Sequence, residues 1–484
     1  MKRVVIIGGG IAGLATAYSL TSLAPEGAGL DITILESKKK PGGNIQTEKR
    51  RGFIIEGGPD CFLSEKPWAV KLCREIGLGG KLLPTNDRYR KTYVLSGGRL
   101  HELPEGVILM IPTKIMPLAL SGLISWRGKV RMLLEVFIPR KKDDSDESLG
   151  HFVRRRLGAE VLDKIAEPLV AGIHAADPDT MSVRASFPKF VQLEDEYGSL
   201  IRGMVKRMAK FRNRPSSTNP WGDRKKMTMF VTLADGMSEL IDTLVSIITE
   251  RGVKIRTRAT VKEVCEEKKG RFRVVLTSDE SMPADAVVIA APAHAAARLT
   301  RGLDRDLSKK LGEIPFSSTA TVTMAFKKSD IPRPLDGFGF VVPRSEGRGI
   351  MASTWSSVKF DGRAPADSAL LRCFVGGAKG ADLLELTNEE MTEMVRRELR
   401  EIMGITAEPI FTRIFRWKKA MPQYTIGHEE RVRHIEALAG AHRGLFLTGS
   451  SYRGIGIPDS IHGGEITAGK VVELLFGEGT KNSS

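Results

Sequence analysis

The residues best suited to chemistry lie near the N-terminus, where Gly8-Gly9-Gly10-Ile11-Ala12-Gly13 sets glycines at the three places of a GxGxxG turn. Gly8 permits the tight turn, Gly10 lets backbone approach a pyrophosphate, and Gly13 lets a helix pack closely on the preceding strand. Ile11 and Ala12 open that helix, whose free N–H groups and positive dipole end favour phosphate. Glu36, with Ser37 beside it, follows some twenty residues on. A carboxylate there accepts hydrogen bonds from both ribose hydroxyls of an adenosine and repels a 2′-phosphate. The pattern selects FAD or NAD over NADP.

The elements that must position these groups are legible around them. Val4-Val5-Ile6-Ile7 is a β-branched run that reads as a buried parallel strand, residues 14–20 as a helix, and residues 31–35 as a second strand ending at Glu36. Pro41-Gly42-Gly43-Asn44 follows, a doublet whose backbone can run along a ribityl and phosphate chain. Far downstream, residues 444–449 read as another buried strand ending in glycine, 450–459 as a glycine-rich loop, and 461–476 as a helix with Glu465 and Thr467 in its early turns. A returning strand, loop and helix of this kind brings a second set of N–H groups to a flavin ring, where they stabilise negative charge at its N1/O2 edge. That decides for FAD.

Composition narrows the class. The chain has 484 residues, 41% hydrophobic and 27% charged, which suits a folded protein of several domains rather than a disordered one. Its formal charge of +16 favours acidic small molecules or anionic surfaces. Aromatics are only 6% and no basic block is interleaved with them, so a nucleic-acid platform is not expected. Cys61, Cys73, Cys265 and Cys373 are too scattered for a zinc or redox pair. None lies near the 450–459 loop, so the flavin is expected to bind non-covalently. The eight histidines are dispersed, with no hydrolytic triad and no metal cluster. No apolar run is long enough to span a bilayer, and the N-terminus has no signal peptide.

Six motifs in order along the chain resemble the flavin monoamine oxidase/phytoene desaturase superfamily and, within it, the oxygen-dependent protoporphyrinogen/coproporphyrinogen oxidases. They are Glu56-Gly57-Gly58-Pro59-Asp60-Cys61-Phe62, Arg154-Arg155-Arg156-Leu157-Gly158, Glu167-Pro168 through Asp177-Pro178, Gly337 through Pro343, Trp417 through His428, and Gly449 through Asp459. The resemblance implies FAD contacts at Gly8, Gly10, Ile11, Ala12, Gly13, Glu36, Ser37, Gly43, Gly58, Pro59, Val261, Trp417, Ile455, Gly456 and Ile457. It implies substrate contacts at Gly172, Val341 and Phe374. Three positions depart from the family pattern. Asn44 replaces a basic residue after the glycine doublet, Thr354 replaces an apolar residue against the macrocycle, and Thr92 precedes Tyr93 where an arginine often stands. Arg88 and Arg90 lie nearby, and Arg90 is taken as the propionate partner.

The implied reaction is the six-electron aromatisation of protoporphyrinogen IX, or of coproporphyrinogen III, in haem biosynthesis. Hydride passes to flavin N5 and dioxygen is reduced to peroxide. The absence of a second GxGxxG for a nicotinamide favours an oxidase. An amine oxidase or carotenoid desaturase on the same scaffold is the other reading, and a non-catalytic flavoprotein module the third. The expected organisation is α/β: a Rossmann-type FAD-binding domain in three parts (1–88, 227–300 and 430–484), a mixed-sheet substrate domain (89–96 and 301–429), and an inserted helical domain (97–226). Within the last, residues 102–140 fit either a basic amphipathic surface at a membrane or a helical core turned inward. Ser148 reads as the N-cap of a helix whose solvated face carries Arg154-Arg155-Arg156. The expected location is cytoplasmic, with peripheral membrane contact, a homodimer and hand-off to the next haem-pathway enzyme left open.

Overall fold

The computed structural model of the chain describes residues 1–104, 107–108, 111–112, 121–212 and 227–477. Most of the apolar stretch over 107–120, including residues 115–120, and the expected boundary loop over 213–226 lie outside the described residues.

The β-branched runs that read as buried strands form a five-stranded parallel sheet. Its order is Lys254–Arg256, Leu30–Leu35, Lys2–Ile7, Ala286–Ile289 and Leu445–Leu447. Both faces are covered, as a parallel sheet requires. Val4, Ile6, Ile32 and Ile34 pack on helices Ile11–Leu23, Ser238–Glu250 and Ile457–Phe476. Val5, Ile7 and Val287 pack on the opposite layer, which includes the three-stranded antiparallel sheet of Val261–Lys268, Arg271–Leu276 and Ser281–Ala284. Lys2–Ile7 is central, with neighbours reached in opposite directions, so its C-terminal end is the switch point where a crevice opens. The final helix starts at Ile457, not 461, so Asp459 rather than Glu465 occupies its first turn.

A second sheet has seven strands. Their order is Phe411–Pro422, Phe316–Lys327, Ser368–Gly376, Ala352–Trp355, Gly337–Val341, Lys91–Ser96 and Arg99–Glu102. All neighbours are antiparallel except Gly337–Val341 with Lys91–Ser96. Arg99–Glu102, expected within the helical insertion, belongs to this sheet because a two-glycine turn (Gly97-Gly98, both with positive φ) folds it back on Lys91–Ser96. One face, carrying Tyr93, Phe340, Leu371 and Cys373, buries helix Asn388–Met403. The other face, carrying Val94, Val341 and Ala352, joins the core of the helical region. The architecture is thus α/β, with a Rossmann-type sheet and a mixed sheet.

The helical region surrounds a buried ion pair. Ser148 caps helix Leu149–Arg156, accepting from His151 N at 3.0 Å. The three arginines do not share one solvated face. Arg154 reaches Asp179 at the surface, Arg155 binds Glu147 and Glu194, and Arg156 is fully buried against Glu135. Arg156 also donates to the carbonyls of Ile138 (2.8 Å) and Gly198 (2.7 Å). Glu135 accepts from Ser199 Oγ (2.6 Å), Leu200 N (2.9 Å) and Ile201 N (3.2 Å), and so caps helix Leu200–Arg212. Breaking a buried pair strands the remaining charge. Arg156→Met is expected to cost about 3–5 kcal/mol in urea unfolding, and a loss below about 1 kcal/mol would contradict this role.

Candidate functional site

The glycine turn sits at the end of Lys2–Ile7 and is closed by contacts that leave no room for side chains. A Cβ on Gly8 would lie 2.6 Å from Ala290 O, and one on Gly13 would lie 2.1 Å from Gly8 O. Gly10 differs: its only neighbour is Gly43 Cα at 4.0 Å, so the space above the turn stays open. Gly42 and Gly43 both have positive φ, which bends the doublet over the turn, with Gly42 N donating to Gly9 O at 2.8 Å. Two helices point their N-termini into this crevice. Ile11–Leu23 begins after Gly10, with Ile11 and Ala12 in its first turn, and Ile457–Phe476 begins after Gly456. Neither has a side-chain cap. Their unpaired N–H groups and dipoles remain available to an anion. Gly464 lets the helices touch, since a Cβ there would lie 2.8 Å from Ala12 O.

Glu36 is 6% exposed and stands at the edge of the turn, accepting from Gly9 N (2.9 Å) and Lys38 N (2.7 Å). Ser37 is exposed and donates to the same carboxylate at 3.3 Å. The 256–261 segment runs beside it. Glu36 N donates to Arg256 O and Ala259 N to Glu36 O, each at 2.9 Å, which sets the strand that starts at Val261 close behind Glu36. Ile455 lies in the loop just before Gly456. A glycine cradle, a ribose-reading carboxylate and two uncapped helix ends match the donor set FAD needs. Gly8, Gly10, Gly13, Gly43 and Glu36 would hold its pyrophosphate and ribose portions, and Ile457, at the start of the last helix, its flavin end.

The Glu56-Gly57-Gly58 turn brings this crevice to the seven-stranded sheet. Gly57 O accepts from Trp417 Nε1 at 2.9 Å and from Thr321 Oγ1 at 3.0 Å. Gly58 packs so closely that a Cβ would lie 1.7 Å from Asn44 O. Asn44, anomalous in the sequence, thus contributes backbone here. Pro59 follows, and Trp417 carries the Lys38 ammonium 5.8 Å from its ring centre. Glu56 is buried, and burial raises its carboxyl above the usual range against the opposing bonds from Thr47 and Met237.

The expected substrate contacts are brought together, except one. Val341, Ala352 and Phe374 are register partners on three adjacent strands, so their side chains share a face. Gly172, in helix Glu167–His174, faces them, for a Cβ there would lie 3.6 Å from Ala352 and 3.7 Å from Val341. Arg90 is not brought to this row. Val94 pairs with Val341, and Arg90 lies four residues earlier, roughly 13 Å along the strand direction. Its side chain is 65% exposed and paired with Asp87 at 2.5 Å, the nearer and solvated partner. Sequence reading missed the charges that do lie near the cleft. Arg372 is buried with its Nη2 on Gly58 O, and Lys359 binds Asp60 at 2.9 Å. The signal was present, since Arg372 interrupts the apolar run Leu370-Leu371-Arg372-Cys373-Phe374.

His428 supports the C-terminal loop. It is 2% exposed, its Nε2 lies 2.9 Å from Tyr452 O, and its ring stacks on Tyr424 at 3.9 Å. Tyr424 donates in turn to Ser450 O at 2.7 Å. Burial pushes the His428 imidazole down to about 4. The unfolded chain protonates such a group near pH 6.5. As pH falls from 6.5 towards 4, the unfolded state binds the proton the folded state refuses, and stability drops. The expected outcome is that bound flavin is retained at pH 7 and released with cooperative loosening of this loop below pH 6. His428→Gln should flatten that profile, as followed by free-flavin fluorescence.

The sequence profile of the flavin containing amine oxidoreductase family matches residues 11–472. Coproporphyrinogen III oxidase of Bacillus subtilis (strain 168) is 36% identical over 477 residues, covering 98% of this chain and 99% of its own. That of Staphylococcus aureus (strain NCTC 8325 / PS 47) is 34% identical, covering 98% and 100%. Protoporphyrinogen oxidase 2 of Arabidopsis thaliana is 27% identical, covering 98% and 94%. A crystal structure from Exiguobacterium sp. 255-15 superposes with a TM-score of 0.84 at 32% identity, covering 97% of this chain and 98% of that one. Reduced UDP-galactopyranose mutase, 15% identical with a TM-score of 0.71, shares the fold.

Proposed function

Since the chain belongs to the flavin-containing amine oxidoreductases, in the group of protoporphyrinogen and coproporphyrinogen oxidases, we propose that it aromatises a porphyrinogen in six-electron fashion. The observation that carries this reading is the apolar row of Val341, Ala352 and Phe374 with Gly172 against it, on the same sheet face as Arg372, which bonds the Gly57-Gly58 turn. A flat macrocycle needs an apolar surface to stack on more than it needs a nucleophile. Bound FAD supplies hydride acceptance at N5 and passes electrons on to dioxygen. The chain's own work is to orient the ring and exclude water. Gly172 brings backbone close to this row, since a Cβ there would already touch Ala352 and Val341, and Phe374 offers a ring face for stacking.

Coproporphyrinogen III is the first substrate in this reading. Three curated relatives at 32–36% identity carry that name, against 27–30% for those named for protoporphyrinogen. Protoporphyrinogen IX, the main expectation from sequence, is the second. The assay is direct: the yellow holoprotein is mixed with each porphyrinogen in air and porphyrin fluorescence is followed. Turnover of coproporphyrinogen III above autoxidation is expected, faster than that of protoporphyrinogen IX, with anaerobic bleaching of the flavin. No turnover of either would end the porphyrinogen reading.

Peripheral membrane contact is part of the proposal. Trp126, Val130, Leu133, Leu134 and Phe137 fall at helical spacing on Trp126–Leu133 and its 3₁₀ extension Leu134–Phe137. All five are exposed, Trp126 by 72% and Phe137 by 76%. Exposed Arg127, Arg140 and Lys142 flank them, a combination suited to an anionic interface. Among the described residues no helix is long and apolar enough to cross a membrane. The protein is expected to sediment with vesicles of phosphatidylglycerol and phosphatidylethanolamine. Trp126→Ser with Phe137→Ser should abolish this without loss of flavin, and unchanged sedimentation would remove the membrane from the proposal.

A further inference from the structure

The cleft face of the seven-stranded sheet changes character within one strand repeat. Thr92, Gly339, Thr354 and Arg372 are register partners across four adjacent strands. Their row leaves the same face as Val94, Val341, Ala352 and Phe374, two residues along. One row is apolar. The other holds two threonines, a glycine and a single charge. That charge is 4% exposed. The Arg372 guanidinium lies 4.8 Å from the Phe374 ring centre, and its Nη2 donates to the carbonyls of Gly57 and Gly58. Its Nε is buried with no acceptor among the described residues.

The neighbouring groups are committed elsewhere. Glu56, Asp60, Lys359, Arg363 and Arg372 act on one another here, and Asp235 reaches Arg363. Asp60 is committed to Lys359 at 2.9 Å. Burial opposes its charge, but Lys359 and Arg372 outweigh that and hold the carboxyl below its usual range. Glu56 is turned towards Thr47 and Met237 N. Arg363 donates to Ala234 O, Leu233 O and Thr232 Oγ1. Cys61 adds no charge, because burial pushes its thiol up to about 12. One N–H donor, the Arg372 Nε, is left over in a buried place. A buried donor of that kind, on a charged group, calls for an anion supplied from outside the chain.

We propose that Arg372 is the carboxylate anchor of the substrate cleft, pairing with a propionate side chain of a macrocycle stacked on Phe374. The assignment rests on the porphyrinogen reading above. Thr92, where the family resemblance expects an arginine, lies on the same row three strands away, about 14 Å at ordinary strand spacing. The cation has therefore changed strand without leaving the cleft face. Thr354, between them, keeps the polar row continuous and explains why an apolar residue is absent there. A guanidinium suits this task because it stays charged when buried and presents a planar donor edge to a carboxylate.

The test uses the holoprotein and binding of oxidised porphyrins, which needs no turnover. Coproporphyrin III and its tetramethyl ester are titrated into wild type, Arg372→Gln and Arg372→Lys, with fluorescence quenching as the readout. Coproporphyrin III is expected to bind R372Q about 10- to 100-fold more weakly than wild type, and R372K in between. The ester, lacking carboxylates, should bind all three alike. Flavin content and the visible spectrum of the porphyrin-free proteins report on folding and on the cofactor. If R372Q loses flavin, the acid-against-ester comparison on wild type and R372K still decides. Equal affinity of wild type and both variants for coproporphyrin III, with the wild type oxidising porphyrinogen, would overturn the anchor alone. A changed flavin spectrum with unchanged porphyrin affinity would also overturn it and assign Arg372 to the cofactor. A wild type that neither binds porphyrin nor oxidises porphyrinogen would overturn the functional reading and the anchor together.

Discussion

Everything in the cleft depends on how many groups converge on the peptide between Gly57 and Gly58. Gly57 O takes hydrogen bonds from Trp417, Thr321 and Arg372, which come from three different strands of the substrate-side sheet. Phe415 covers the glycine so closely that a Cβ would lie 2.7 Å from its ring. Immediately before this peptide, Glu56 accepts from Met237 N and so ties the turn to the nucleotide-side layer. Two residues after it, Asp60 binds Lys359, which follows the Ala352–Trp355 strand. Five residues thus join two sheets built from interleaved segments of one chain. A carbonyl has only two lone pairs, so this degree of sharing leaves the turn little freedom to move.

The two ends of the site meet negative charge by different means. At the nucleotide end the donors are backbone: an uncapped helix N-terminus and a glycine turn. Dipoles of this kind suit a permanently bound pyrophosphate, because they are fixed and need no counter-ion when buried. At the cleft end the cations are side chains, held in place by carbonyls and by one carboxylate. Such charges are costly to bury unless something completes them. That difference matches a cofactor that stays and a substrate that comes and goes.

Much of this arrangement was legible in the sequence, and the exceptions have definite causes. The β-branched runs, the GxGxxG spacing, Glu36 and the Ser148 cap depend on local patterns, and each stands where those patterns put it. The triple arginine misled because three adjacent residues of a helix cannot share one face at about 3.6 residues per turn. Arg154 points out, Arg155 lies between, and Arg156 points inward to Glu135. The start of the last helix was misplaced although Pro458, a helix-opening residue, marks it. Arg90 looked suited to a ligand only while Asp87, three residues earlier, was ignored. Arg372 depends on register between strands far apart in sequence. No local pattern shows that Thr92 and Arg372 share a row; only the fold does.

The helical region has two tasks that one core must reconcile. Its inner side presents Gly172 to Val341 and Ala352, and its outer side presents Trp126 and Phe137 to the surroundings. Between them lies a single cluster that includes Met132, Phe152, Val161, Ile165 and Val170 and extends into the sheet at Val94, Val341 and Ala352. Packed interiors transmit displacement because they contain few voids to absorb it. The Arg156–Glu135 pair then matters beyond stability. Glu135 lies on the same 3₁₀ turn as the exposed Leu134 and Phe137, while it fixes the start of helix Leu200–Arg212 from within. The side of the region that carries Gly172 and the side that carries Trp126 and Phe137 therefore share one packed core.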